Sequence, residues 1–427
     1  MYSEFYATTV RIALMFFFGS IAIEWIVSLL LRKGVYRPID ALSSISSGLS
    51  NNVKAILKLT VIIVTHDWML KHLALFELPA NATSYILCFL LFDFAYYWKH
   101  RFAHEINFLW NRHLIHHSSE EFNLAAAMRQ PISGFVQLYF FLYIPIAVIG
   151  VPTIVVAVIA PLHRFAQFWY HTRLINRMGF LEEIIVTPSH HRVHHAINKE
   201  YLDKNYSAIF IFWDKWFGTF QEEMLDNPPV YGITKSVQTW NPFIINFMHL
   251  WSLTKDSWRT KKWSDKLKVW YKSTGWRPDD MQEKYPIEYT KDVHQQVKYE
   301  TESTPFLTSW GFIQVFIHIA IQFHFLALLT QMSWWDLLYY GAFVGFSIFS
   351  YTSLLDRHWI AVPVEFIKTI FGFFILNYFG GWFLLNESYP ISTFLIGIYF
   401  MVSLVITIYF TRNYFEKSSV KLEKTII

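Results

Sequence analysis

Eleven of the chain's eighteen histidines fall between His100 and His195, and eight of them form three tight boxes: His100-x3-His104, His113-x2-His116-His117 and His191-x2-His194-His195. Side chains three or four apart on a helix share a face, with β-carbons about 5–6 Å apart. Each box therefore offers two or three imidazoles to one region of space. A tetrahedral zinc ion takes about four protein ligands, fewer than the boxes supply, and His163, His171 and His190 are also in this stretch. The surplus implies two metal ions. A lone histidine is ordinarily a solvated or hydrogen-bonded side chain, but so many in an apolar chain would each carry a desolvation cost if left unpaired.

Elements that position these boxes must form in an apolar setting. Of 427 residues, 54% are hydrophobic, 19% aromatic and 16% charged, against about 25% charged in an ordinary soluble domain. This composition belongs to a membrane protein. The net charge of +4 forms no basic stripe, which argues against a nucleic-acid partner. Cys88 is the single cysteine, so intrachain disulfides and cysteine clusters are excluded.

A bilayer core needs about 20 apolar residues per helix, and residues 8–31 supply a first span, retained rather than cleaved as a signal. Arg32, Lys33 and Arg37 follow it and put its carboxyl end in the cytoplasm. A second span is expected over 53–75, an outer turn at 77–83, and a third span over 84–98 that runs directly into the first box. Residues 134–161 read as a helical hairpin broken at Gly150 and Pro152, returning towards His163 and His171. All boxes then share the cytoplasmic side. The stretch 208–218 is too short to cross and suits the headgroup interface. Four more spans are expected at 310–329, 334–354, 359–383 and 391–410, followed by a basic tail at 412–424.

The expected fold is thus an all-α polytopic membrane helical bundle with a histidine-rich di-metal site at the cytoplasmic face. It divides into a membrane core (1–225), a polar cytoplasmic segment (226–305) and a C-terminal four-helix membrane region (306–427), the last being a lipid-facing scaffold or an oligomer surface.

Imidazole suits iron, copper, nickel and zinc alike. A catalytic zinc commonly uses three protein ligands, so a zinc hydrolase leaves most of the histidines surplus. A pair of irons with vacant positions binds dioxygen and can oxidise an unactivated carbon, which fits a lipid setting. A metal transporter needs ionisable groups along a crossing path, and bis-histidine haem needs single facing histidines deep in the spans. Both are harder to match with boxes beyond span ends.

Four segments carry a more specific signal: Asp93-Phe-Ala-Tyr-Tyr-Trp-Lys-His-Arg-Phe-Ala-His-Glu105, Thr187-Pro-Ser-His-His-Arg-Val-His-His195, Asp203-Lys-Asn-Tyr206 and Trp213-Asp-Lys-Trp-Phe-Gly-Thr219. They resemble the fatty acid hydroxylase and sterol desaturase superfamily of membrane di-iron enzymes, and within it the alkylglycerol monooxygenases. The resemblance covers residues 60–225 and implies two irons, dioxygen and tetrahydrobiopterin. The reaction it implies is hydroxylation of the alkyl carbon beside a glycerol ether oxygen, releasing a fatty aldehyde and a glycerol derivative. Sister activities are hydroxylation or desaturation of sterols and fatty acyl chains.

The resemblance carries over His100, His104, His113, His116, His117, His191, His194 and His195 as metal ligands, with His171 as a further one. His190, facing about 100° away from His191 on a helix, and His163 are additional candidates. Glu105 matches a family carboxylate and is the candidate catalytic residue, orienting oxygen or facing the pterin. Asp93, an intramembrane carboxylate seven residues before His100, is a candidate acceptor for a histidine N–H. Asn123 and Asp214 match the family pattern as supporting residues, as do Arg129 and Asn205. No phosphate loop, dinucleotide fingerprint or haem-attachment motif identifies the electron donor, and no short signature gives the pterin-binding residues. The membrane is either a bacterial inner membrane or the endoplasmic reticulum.

Overall fold

The first long apolar run forms α1 (Tyr2–Leu30). In the computed structural model, which describes residues 2–290 and 292–426, every regular element is a helix. Five helices among the described residues are long and apolar enough to cross a membrane: Tyr6–Leu30, Pro305–Ala327, Trp334–Leu355, Ala361–Tyr378 and Ser392–Tyr414. They fit a multi-pass membrane protein.

The expected second span over 53–75 does not form. Instead α2 (Pro38–Ile56) ends early, and the chain turns before a short α3 (His66–Leu73). Between them Val61 pairs with the segment near Val136, its N–H donating to Phe135 O at 2.7 Å and its carbonyl accepting from Gln137 N at 2.9 Å. Thr65 then caps α3 through Trp68 N. An apolar window alone could not see this partner, which is 75 residues away in the chain.

α2 itself is buried although five of its residues are serines. Each hydroxyl finds an acceptor or partner: Ser43 donates to Trp240 O, Ser47 to Gln130 O and Ser50 to Ser46 O, while Ser46 pairs with Tyr351 Oη at 2.6 Å. Ser44 donates to Asp40 O. Small polar residues let neighbouring helices approach closely while satisfying their own hydrogen bonds.

α4 (Ala82–Glu105) starts at a reciprocal Asn81–Ser84 cap and carries the apolar run straight into the first box. It is followed by α5 (Asn107–Trp110) and α6 (Leu114–His117), which hold the second box. The expected hairpin has a short first arm, a 3-10 turn at Phe140–Tyr143 and α7 (Ile144–Val148), and a longer second arm, α8 (Thr153–Phe165). α8 packs along α4.

Gly150 makes the turn between those arms at φ +81, and a β-carbon there would lie 1.9 Å from the Phe76 carbonyl oxygen. The strand of chain at 75–78 is held to it by Leu75 N to Val148 O (2.8 Å) and Leu78 N to Gly150 O (3.1 Å). Gly150→Ala is expected to lose at least about 2 kcal/mol, combining the left-handed penalty with a backbone clash. The unfolding midpoint of the detergent-solubilised protein measures it, and an unchanged midpoint would mean this close approach is absent.

The third box is on α9 (Pro188–His194), and the interfacial stretch contains α10 (Phe212–Phe217). The polar segment folds into α11 (Pro242–Arg259), α12 (Trp263–Tyr271) and α13 (Asp279–Lys284). The four late spans are α14 (Pro305–Ala327), α15 (Trp334–Leu355), α16 (Ala361–Tyr378) and, after the single-turn α17 (Leu385–Ser388), α18 (Ser392–Ile426). α18 continues through the expected basic tail, whose side chains beyond residue 414 lie outside the described residues.

Candidate metal centre

Helix geometry sorts the boxes. In α6 and the turn before it, His113 and His117 point one way and His116 the other; in α9 and the residue after it, His191 and His195 share a side and His194 opposes them. Two groups result: His100, His104, His113, His117 and His194, and His116, His171, His191 and His195. Within each, one ligand nitrogen per residue lies within 4.8 Å of all the others. Either group could hold a metal ion.

In the five-histidine group the Nε2 atoms of His100 and His113 stand 2.8 Å apart, those of His113 and His117 3.0 Å, and those of His104 and His117 3.1 Å. In the four-histidine group the Nε2 separations are 2.9 Å for His171 and His191, 3.0 Å for His191 and His195, and 3.2 Å for His116 and His195. The groups meet where the His117 and His195 rings stack, centroids 4.3 Å apart. Burial, and after it the neighbouring imidazoles, hold His113, His117, His171, His191, His194 and His195 well below the ordinary histidine range. His116 is pushed down to about 4, chiefly by burial. These rings are neutral at pH 7, the form that ligates metals.

Backbone carbonyls fix the second ring nitrogen of four of the nine histidines. His100 Nδ1 donates to Tyr206 O at 2.7 Å and His194 Nδ1 to Lys204 O at 2.9 Å, while His104 Nδ1 lies 3.5 Å from the Asp203 carboxylate. The loop 203–206 thus orients three of the five ligands, leaving Nε2 for metal. It does so in a contorted conformation, with Asp203 at φ +58 and Asn205 at φ +54. Asn205 secures it by donating to His190 O and Gln221 O and accepting from Gln221 N, and Asp214 accepts from Tyr206 N and Ser207 N, both at 2.8 Å. In the other group, His116 Nδ1 donates to Arg129 O and His171 Nδ1 to Gln167 O.

Two candidates stand outside both groups. His190 Nδ1 accepts from Thr187 N in the cap of α9, and His163 Nε2 donates to Asp93 at 2.7 Å. Asp93 also accepts from Ile209 N, Phe210 N and Trp213 Nε1, so its histidine is His163 rather than a box member. Asn123 binds Val35 O and Ala126 N and fixes the loop before Arg129. Glu105 stands outside the groups as well. It accepts from Arg101 Nε at 2.8 Å, on a rim shared with His104 and Asp203.

The surroundings of the two groups differ. Phe122, Tyr170 and Tyr231 pack around the four-histidine group, Phe122 stacking on both His171 and Tyr231. The five-histidine group instead borders Trp110, Tyr206 and a cavity of about 290 Å³.

Residue Asp40 was not visible as a site residue in the sequence. Its carboxylate accepts from Arg129 Nη2 at 2.9 Å and Ser119 Oγ at 2.6 Å, both partners buried, and so holds the backbone that orients His116.

The family model for fatty acid hydroxylases matches residues 85–219, which contain all nine histidines of the two groups. Alkylglycerol monooxygenase from Homo sapiens is 34% identical over 373 residues, 87% of this chain and 83% of that protein. The alkylglycerol monooxygenase of Danio rerio is 30% identical over 411 residues, 96% of this chain and 90% of that protein. Ornithine lipid hydroxylase OlsE from Rhizobium tropici is 30% identical over 159 residues, 36% of this chain and 47% of that one. No solved structure matches the chain.

Proposed function

We infer, from a chain that belongs to the alkylglycerol monooxygenase family of the fatty acid hydroxylases, that its lipid substrate is a 1-O-alkylglycerol attacked at the carbon beside the ether oxygen. The protein is a dioxygen-dependent membrane monooxygenase acting on lipids. The observation that carries the finer reading is the division of nine imidazoles, seven of them buried, into adjacent groups of five and four. This donor set, all nitrogen and without thiolate, suits iron.

Two irons, when bound, supply activation of dioxygen for insertion of one oxygen atom into a C–H bond. The chain's own residues do the rest. Carbonyls of Lys204 and Tyr206 keep the protons of His194 and His100 on Nδ1. Phe122, Tyr170 and Tyr231 exclude water from one side of the centre. The hydroxylated ether carbon is a hemiacetal, which collapses to a fatty aldehyde and the glycerol. Overall, the ether carbon and dioxygen take two electrons and two protons, giving the hemiacetal and water. Tetrahydrobiopterin is the reductant that the family relationship favours, and the basic residues after α1 favour a site facing the cytoplasm.

With oxygen-18 gas and 1-O-hexadecylglycerol, the aldehyde trapped by prompt reduction is expected to carry the label, with neither alkene nor stable mid-chain alcohol. Unlabelled trapped product, or modification of sterols and acyl chains alone, overturns the ether assignment.

A further inference from the structure

The reaction draws two electrons from outside the protein, and the sequence has no dinucleotide fingerprint or haem-attachment motif through which to deliver them. Resting on that reading, we propose that the cavity beside the five-histidine group seats the electron donor, a small water-soluble reduced nitrogen heterocycle of the pterin class. The cavity's inner end is His104, His117 and His194, and none of the four-histidine group reaches it. Its outer walls come from the polar segment 232–289 rather than from the five membrane-length helices. Exposed Leu202, Lys235 and Gly275 form its rim. What enters therefore comes from water and arrives at one metal group only.

The walls are built to keep their shape. Asn107 N donates to Lys272 O at 3.0 Å and Thr274 N to Glu105 O at 3.1 Å, and Thr274 Oγ1 donates to His104 O, so the polar segment is bonded to the end of the ligand-bearing α4. Arg277 grips buried Asp256 with two bonds of 2.6 and 2.9 Å on the opposite wall. The indoles of Trp110 and Trp276 lie among polar groups of Asn107, His249 and Thr274, a lining for a planar ring with polar edges. The Trp110 ring is 5.1 Å from the His104 ring, so a donor seated here is adjacent to the first metal group. The donor gives up two electrons and two protons; one oxygen atom becomes the substrate hydroxyl and the other leaves as water.

Ser252 lines the cavity and is not a ligand, and the chain's single cysteine, Cys88, is fully buried. S252C in the iron-loaded full chain, treated anaerobically with iodoacetamide, therefore reports on the chamber. Tetrahydrobiopterin at about ten times its Kd is expected to slow alkylation about ten-fold, while 1-O-hexadecylglycerol leaves the rate unchanged. Ser252→Trp, which fills the space, is expected to weaken tetrahydrobiopterin binding in equilibrium dialysis at least ten-fold with iron content intact. Protection by the alkylglycerol alone would make the chamber a headgroup site and overturn the proposal. Absence of protection, or full binding by Ser252→Trp, would place the donor elsewhere. These readouts need no turnover, so an enzyme acting on a different lipid would still show them.

Discussion

His191→Ala is expected to release one of two irons and stop turnover, whereas His190→Ala keeps both. The two residues are neighbours, yet His191 Nε2 converges with His171 and His195 while His190 only caps α9. Loss of outer-shell partners already lowers metal affinity about 10–100-fold, so loss of a ligand should cost at least the upper end, and turnover should fall below about 1%. His190→Ala loses a cap contact worth about 1 kcal/mol. Iron per chain by plasma emission, alongside turnover, tests the pair. Equal iron in both variants would sink the division into two groups.

Asp40→Ala should be among the most destabilising single changes in the protein. It leaves the Arg129 guanidinium, 1% exposed, with only Ser44 and Ser118 as side-chain partners. Removing one partner of a buried ion pair costs about 3–5 kcal/mol, while replacing both by apolar groups of similar volume is often near neutral. Asp40→Leu/Arg129→Met should accordingly recover much of the stability lost in Asp40→Ala. Denaturant unfolding in micelles measures the cycle. A loss below about 1 kcal/mol in Asp40→Ala would show that the pair does not bear on folding.

The site was more legible than the fold around it because its signal is local. One residue advances a helix by about 100°, so i and i+4 differ by only about 40°. His113 with His117 and His191 with His195 are such pairs, and the odd member of each box, His116 or His194, goes to the other group. The expectation that each box serves one region of space is thereby corrected: the second and third boxes are each divided between the two groups. Supporting contacts were not legible, since Lys204, Tyr206, Gln167 and Arg129 serve through main-chain carbonyls that any residue type possesses. Asp93 accepts a histidine N–H as expected, but which histidine was not legible: the returning α8 brings His163 to it. The late spans were legible from length and apolarity, whereas 53–75 failed because pairing with the 135–137 segment interrupts an apolar run.

α2 lies between the late helices and the metal centre. Its outer side packs on α14 and α15, where Gly311 meets Leu42 and Gly341 meets Val53 and Leu57 at distances that no β-carbon would permit without adjustment. Its amino-terminal turn carries Asp40, which reaches Arg129. Hydrogen bonds also tie Glu120 to Tyr299 N and Asp356 to Trp240 N. For anyone shortening or recombining such a gene, the catalytic portion is consequently not a transferable cassette. A chain cut after residue 225 would bare a serine-lined helix to acyl chains, and grafting the histidine segment onto another scaffold would require bringing its distant buttress along.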